Sequence, residues 1–120
     1  MTISLPPVIS DYFAASHHRD LDALMACFTD DAVVLDEGHK WRGHGGIRQW
    51  WEEVATVYEY TVDVLAADTL GQADGVQRHD VHTHLEGNFP GGTVDLTNRF
   101  AVRDERIASL QIVPSETAES

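Results

Sequence analysis

Val76–Val113 reads VQRHDVHTHLE, GNFPGG, TVDLTNRFAV, RDER, IASLQIV: three strand-length runs separated by two turn-forming stretches. Within Val76–Glu86, alternation places His79, Val81, Thr83 and Leu85 on one face. Arg78, Asp80, His82, His84 and Glu86 fall on the other. Thr93–Val102 likewise gathers Val94, Leu96, Asn98, Phe100 and Val102 on a single face. The glycine- and proline-containing Gly87–Gly92 and the charged Arg103-Asp104-Glu105 are turns. A further strand, Tyr60–Leu70, precedes these runs, and Ile107–Val113 ends them. Strands joined this closely form an antiparallel meander with its apolar face turned inward.

Upstream, the period changes. Pro6 and Pro7 suit a first helical turn, and Val8, Ile9, Tyr12 and Phe13 follow as one stripe. Asp20 is placed to cap a second short helix with Leu21, Leu24, Met25 and Phe28 on one face. A short strand, Ala32–Asp36, puts Ala32, Val34 and Asp36 together. Glu37–Gly46 reads as a loop, and Ile47–Tyr58 as a third helix with Ile47, Trp50, Trp51, Val54 and Tyr58 on its apolar face. Helices first and a meander afterwards define an α+β chain, a curved sheet packed on helices.

The chain has 120 residues, 42% of them apolar and 23% charged, which fits one globular domain over 1–114 with a polar tail at 115–120. Twenty acidic residues against eight Lys and Arg give a formal charge of −12. Such a surface repels phosphate backbones and anionic lipid, so neither nucleic acid nor membrane is an expected partner. The N-terminal residues carry no basic, apolar secretory pattern, and a cytoplasmic location is expected. The single cysteine, Cys27, allows no internal disulfide and reads as buried packing. There is no phosphate-cradling glycine loop, HExxH pair or Ser–His–Asp signature, so neither a cofactor nor a metal is expected. His82 and His84, two apart on one face, lack a third ligand in the pattern and read as a solvated or subunit-facing strand.

Several motifs occur in a characteristic order: Tyr12, Asp20-Leu21-Asp22-Ala23-Leu24, Phe28-Thr29-Asp30-Asp31-Ala32-Val33-Val34, then Gly43, Ile47, Trp50 and Trp51. Phe89-Pro90-Gly91, Arg99-Phe100 and Arg106-Ile107 close the series. Over nearly its whole length the chain resembles the nuclear transport factor 2-like superfamily, in its SnoaL-like and ketosteroid isomerase-like branches. The resemblance implies a cone-shaped roll: a mixed, mostly antiparallel sheet curved around three N-terminal helices. It also implies an apolar pocket for a small molecule and assembly as a homodimer.

The site residues follow from both readings. Asp36 shares the Val34 face at the strand end; inside a pocket it is a desolvated proton shuttle, otherwise a solvated strand terminus. The resemblance assigns that position the catalytic aspartate, and it assigns Tyr12 the oxyanion-stabilising phenol. Leu96 stands where the isomerases carry a second, protonated aspartate, and Asp95 points to the opposite face. Phe28 and Trp51 replace their supporting tyrosines, so a strict steroid isomerase is not expected. Asn98 on the Phe100 face is a ligand contact or a structural amide. His79 is expected in the pocket as an acid or base. Trp41, Trp50, Trp51, Phe89 and Phe100 give the pocket bulk, and His39 and His44 are candidates for its mouth.

The expected activity is cofactor-independent acid/base chemistry (isomerisation, cyclisation or dehydration) on an apolar, carbonyl-containing ligand. Asp36 is the base, Tyr12 the oxyanion donor, and His79 or Asn98 the further polar contact. A non-catalytic binding or interaction domain is the first alternative. An epoxide hydrolase is the second; it requires Arg78 and Asp80, not His79, to face inward.

Overall fold

The computed structural model describes residues 5–115. Pro7–His18 forms α1 and Leu21–Ala26 forms α2. Pro6 stands before the first turn of α1, and Pro7 is its first residue. Arg19, in the left-handed region at φ 54°, ends that helix. Asp20 caps α2, its Oδ1 accepting from the Ala23 N–H at 3.1 Å. The helix is only six residues long, so Phe28 does not extend it. Phe28 instead opens the first strand, β1 (Phe28–Asp36), where its side chain is fully buried.

A hairpin replaces the loop expected at Glu37–Gly46. Asp36 pairs with His39 across Glu37-Gly38, both at positive φ (54° and 80°), as a type I′ turn requires. The returning strand is β2 (His39–Arg42). Glu-Gly is a weaker hairpin cue than Asn-Gly, and β2 has four residues with no apolar alternation, so the stretch reads as a loop. The third helix, α3 (Gly43–Trp50), starts four residues before the expected Ile47 and continues as one wider π-type turn over Trp51–Ala55.

The remaining strands are β3 (Tyr60–Ala73), β4 (Val76–Gly87), β5 (Thr93–Arg103) and β6 (Arg106–Pro114). The six strands lie in the order β2-β1-β6-β5-β4-β3. The meander is as expected, and β1 lies parallel to β6, making the sheet mixed. Irregular pairing at Leu65 and Leu70 of β3 and near Ala101/Val102 of β5 adds local twist, which curls the sheet around the helices. Inward residues of β4 are His79, Val81 and Thr83, all buried, as alternation requires.

One end of the concave face is filled by Ile9, Leu24, Phe28, Val34, Ile47, Phe100, Ile107 and Leu110. Each full burial of a large side chain contributes about 1.5–3 kcal/mol. That exceeds anything offered by the exposed ion pairs at the rim, such as Arg103–Asp31. Ser115 is tied to β5 through its N–H to the Asp95 carbonyl at 2.9 Å. The rest of the expected tail, 116–120, lies outside the described residues. Among the described residues no helix is long and apolar enough to cross a membrane.

Candidate functional site

At the other end of the concave face the core gives way to a cavity of about 640 Å3 between α1, the Trp50–Ala55 segment and the inner surfaces of β1, β4, β5 and β6. Its walls are mostly apolar. Tyr12, Asp36, Trp51, Leu96 and Asn98, all expected at the site, border it together. A smaller recess of about 160 Å3, edged by Ser16, His17, Arg19 and Thr56, shares its Phe13, Trp51 and Tyr60 walls.

Asp36 owes its position to the Glu37-Gly38 turn, which ends β1 where the cavity begins. Oδ2 of Asp36 accepts a hydrogen bond from Trp50 Nε1 at 3.0 Å. Burial raises its carboxyl above the ordinary carboxylate range and the nearby Glu37 adds to this, while the Trp50 hydrogen bond opposes both. Trp50 and Trp51 both reach the cavity because the helix widens immediately after Trp50. The sequence marked Trp50 as bulk. Its role as the donor that holds Asp36 was not visible, because the partners belong to elements whose packing periodicity does not specify.

Tyr12 is buried on α1, its ring edge-on to Phe28 and to Phe100 with centroids 6.0 and 5.5 Å away. Burial first, then the neighbouring Tyr60 and Asp36, hold its phenol far above the usual range. Tyr12 is therefore a hydrogen-bond donor at any working pH. Asn98 donates through Nδ2 to the Val81 carbonyl at 3.1 Å and to Thr83 Oγ1 at 3.0 Å. With both amide protons engaged, Oδ1 is the group it has left for the cavity. Tyr60 also borders the cavity and had no expected role. Its hydroxyl donates to the Ala55 carbonyl at 2.8 Å, bracing the wide turn against β3. An aromatic at the first position of a strand was the available cue.

Other expected site residues are not brought to the cavity wall. Phe28 and Phe100 support Tyr12 from behind, inside the core. Trp41 stands on β2, packed against the core, and its buried indole N–H has no partner among the described residues. His79 faces inward, as alternation requires, but is enclosed beside Thr69 and Phe100. Nδ1 lies 3.2 Å from Thr69 Oγ1, Nε2 has no partner among the described residues, and burial lowers its pKa. Ile112, Val94 and Leu96 occupy the cavity surface instead. His44 contacts the Phe28 carbonyl at 3.1 Å and His39 is exposed, and neither borders the cavity.

The outer face of the sheet carries the other titratable groups. His84 bonds Asp95 and Glu86, which raise its pKa, and His82 lies 3.3 Å from Asp68. Asp80 approaches Arg99 at 3.9 Å on that face. Neither Arg78 nor Asp80 borders the cavity, which removes the arrangement an epoxide hydrolase requires. Among the described residues no group of three potential metal ligands converges.

No curated protein matches the sequence. Among solved structures, a protein from Sinorhizobium meliloti described as a candidate polyketide cyclase is 36% identical. It superposes with a TM-score of 0.79 over 91% of this chain and 95% of its own. A protein of ketosteroid isomerase-like fold from Catenulispora acidiphila, solved with trimethylamine, is 21% identical, with a TM-score of 0.74 over 93% and 88% of the two chains. The Orange Carotenoid Protein of Anabaena, solved with canthaxanthin, is 15% identical. Its TM-score is 0.86, over 99% of this chain and 40% of that one. The profile of the SnoaL-like domain covers residues 9–110, from the middle of the first helix turn to the last strand, and the chain belongs to that family.

Proposed function

We propose that the cavity performs acid/base chemistry on an apolar ligand containing a carbonyl group, without a cofactor. The observation that carries this reading is the shared border of Asp36, Tyr12 and Asn98 on one largely apolar hollow. Asp36 removes a proton from the carbon next to the carbonyl. The electron pair moves onto the carbonyl oxygen, which accepts a hydrogen bond from Tyr12. For isomerisation the carboxyl returns the proton elsewhere on the ligand; for ring closure the enolate carbon attacks a second carbonyl of the ligand and the carboxyl protonates the resulting alkoxide; for dehydration the carboxyl protonates the departing hydroxyl, which leaves as water. A carboxylate made more basic by burial abstracts a proton more readily, and a phenol that keeps its proton serves as a neutral donor. The Sinorhizobium protein's description as a candidate polyketide cyclase supports this class of reaction.

The test is hydrogen–deuterium exchange at the α-carbon of 2-tetralone in D2O, followed by NMR. The wild type accelerates exchange; Asp36→Asn loses about 10²–10⁴-fold of that acceleration. Tyr12→Phe loses about 10²-fold. Exchange by Asp36→Asn at the wild-type rate removes the base assignment. Leu96, at the place of a second oxyanion donor, favours a second reading: binding without turnover. Quenching of Trp50 and Trp51 fluorescence by 2-tetralone, with no exchange above the buffer rate, selects that reading. Family membership further supports a homodimer, and light scattering at micromolar concentration then gives twice the 13.3 kDa chain mass.

A further inference from the structure

The charge pattern of the cavity departs from that of an ordinary apolar pocket. Its wall contains two carboxylates, Asp36 and Glu37, and no lysine, arginine or histidine. Among the described residues, only one oxygen of Asp36 is engaged by a protein donor, the Trp50 indole. No basic residue contributes to the environment of that carboxyl; Glu37 is the charged group that does, and it is of the same sign. The surrounding wall is rich in π-faces. The chain has three tryptophans, three tyrosines and four phenylalanines, and seven of these ten rings border the cavity. Phe89 stands edge-on to both Tyr58 and Tyr60, with centroids 6.1 and 6.4 Å away, and Trp50 and Trp51 are neighbours.

Ring faces carry negative potential, and an aromatic-lined, partly dry hollow attracts a cation more strongly than water-exposed rings do. The formal charge of −12 adds a field of the same sign over the whole molecule. An anionic ligand meets both terms as repulsion. Arg19 belongs to the adjoining recess, and its guanidinium already donates to the Tyr58 carbonyl at 3.2 Å. We infer that the cavity selects ligands with an apolar body and a positively charged amine, the ammonium lying among the rings with Asp36 and Glu37 as its counter-charges. The inference concerns the charge of the ligand and stands whether or not Asp36 takes a proton from it.

The experiment compares three molecules of one shape: 2-aminotetralin, protonated at neutral pH, 2-tetralol, and tetralin-2-carboxylate. Affinity is read from quenching of Trp50 and Trp51 fluorescence and checked by calorimetry with the wild-type protein. The amine binds at least tenfold more tightly than the alcohol, and the carboxylate more weakly than both. Raising salt from 20 to 500 mM narrows the gap. Asp36→Asn reduces the amine's advantage to threefold or less, and Glu37→Gln reduces it by a smaller factor. Equal affinity for amine and alcohol in the wild type overturns the inference. Tightest binding of the carboxylate also overturns it and redirects attention to Arg19. None of these readouts involves turnover, so failure of 2-tetralone exchange and failure of amine selectivity are separate results.

Discussion

At the scale of single residues, the site is a set of opposed effects on one carboxyl. Burial raises Asp36 while the Trp50 N–H stabilises its charged form. Trp50→Phe removes the second effect, so the ascending limb of the exchange rate against pH moves to higher pH. An unmoved limb shows that the indole does not tune Asp36. The same raised value has a cost in stability: the unfolded carboxyl ionises first, so stability declines as pH rises from the unfolded to the folded value. Asp36→Asn is therefore expected to melt at a higher temperature than wild type at pH 7 and to lose that advantage near pH 3. His79 has the opposite sign. Burial lowers its folded value, so its neutral form supports the fold above about pH 6.5, and stability falls as pH drops below that. His84, whose carboxylate partners raise its value, gains as pH falls, and the two trends partly cancel. His79→Phe isolates them: urea unfolding between pH 7 and 5 should lose its His79-dependent decline. Asn98→Ala leaves the Val81 carbonyl and Thr83 hydroxyl without their buried donor, at a cost of about 1–3 kcal/mol in the same unfolding assay.

At the scale of elements, side-chain alternation made most of the sheet readable. Val94, Leu96 and Asn98 line the cavity as their alternation implies, and Asp95 faces outward to His84. The caps were equally plain, because Pro7 and Asp20 act through local backbone chemistry. Local patterning could not show that Phe28 leaves a six-residue helix to start a strand paired with Ile107, since that choice depends on a partner most of the chain away. It could not show β2 for a similar reason: a four-residue edge strand has too little alternation of its own. His79 illustrates a different limit. Alternation identifies the inward face of a strand but not whether core or cavity lies above it. The Glu37-Gly38 turn is the element on which the site most depends. Gly38→Ala places a Cβ at φ 80° and is expected to cost about 1–2 kcal/mol, read by urea unfolding, with a parallel loss of 2-tetralone exchange as the end of β1 shifts.

For the whole molecule, charge and topology set the behaviour. With 20 acidic and eight basic side chains, self-repulsion opposes compaction at pH 7. Melting temperature should rise as salt is increased from 10 to 200 mM, because exposed charges more than about 8–10 Å apart become screened; a flat or falling profile shows that repulsion is not a significant term. The sheet order carries a separate consequence. The last strand in the sequence sits in the middle of the sheet, joining the β1–β2 hairpin to the β3–β4–β5 meander. A nascent polypeptide emerging from the ribosome thus holds two unfinished halves, each with an open edge, until β6 clears the exit tunnel. Truncation before β6 therefore leaves the hairpin and the meander unjoined, and neither half alone forms the native sheet.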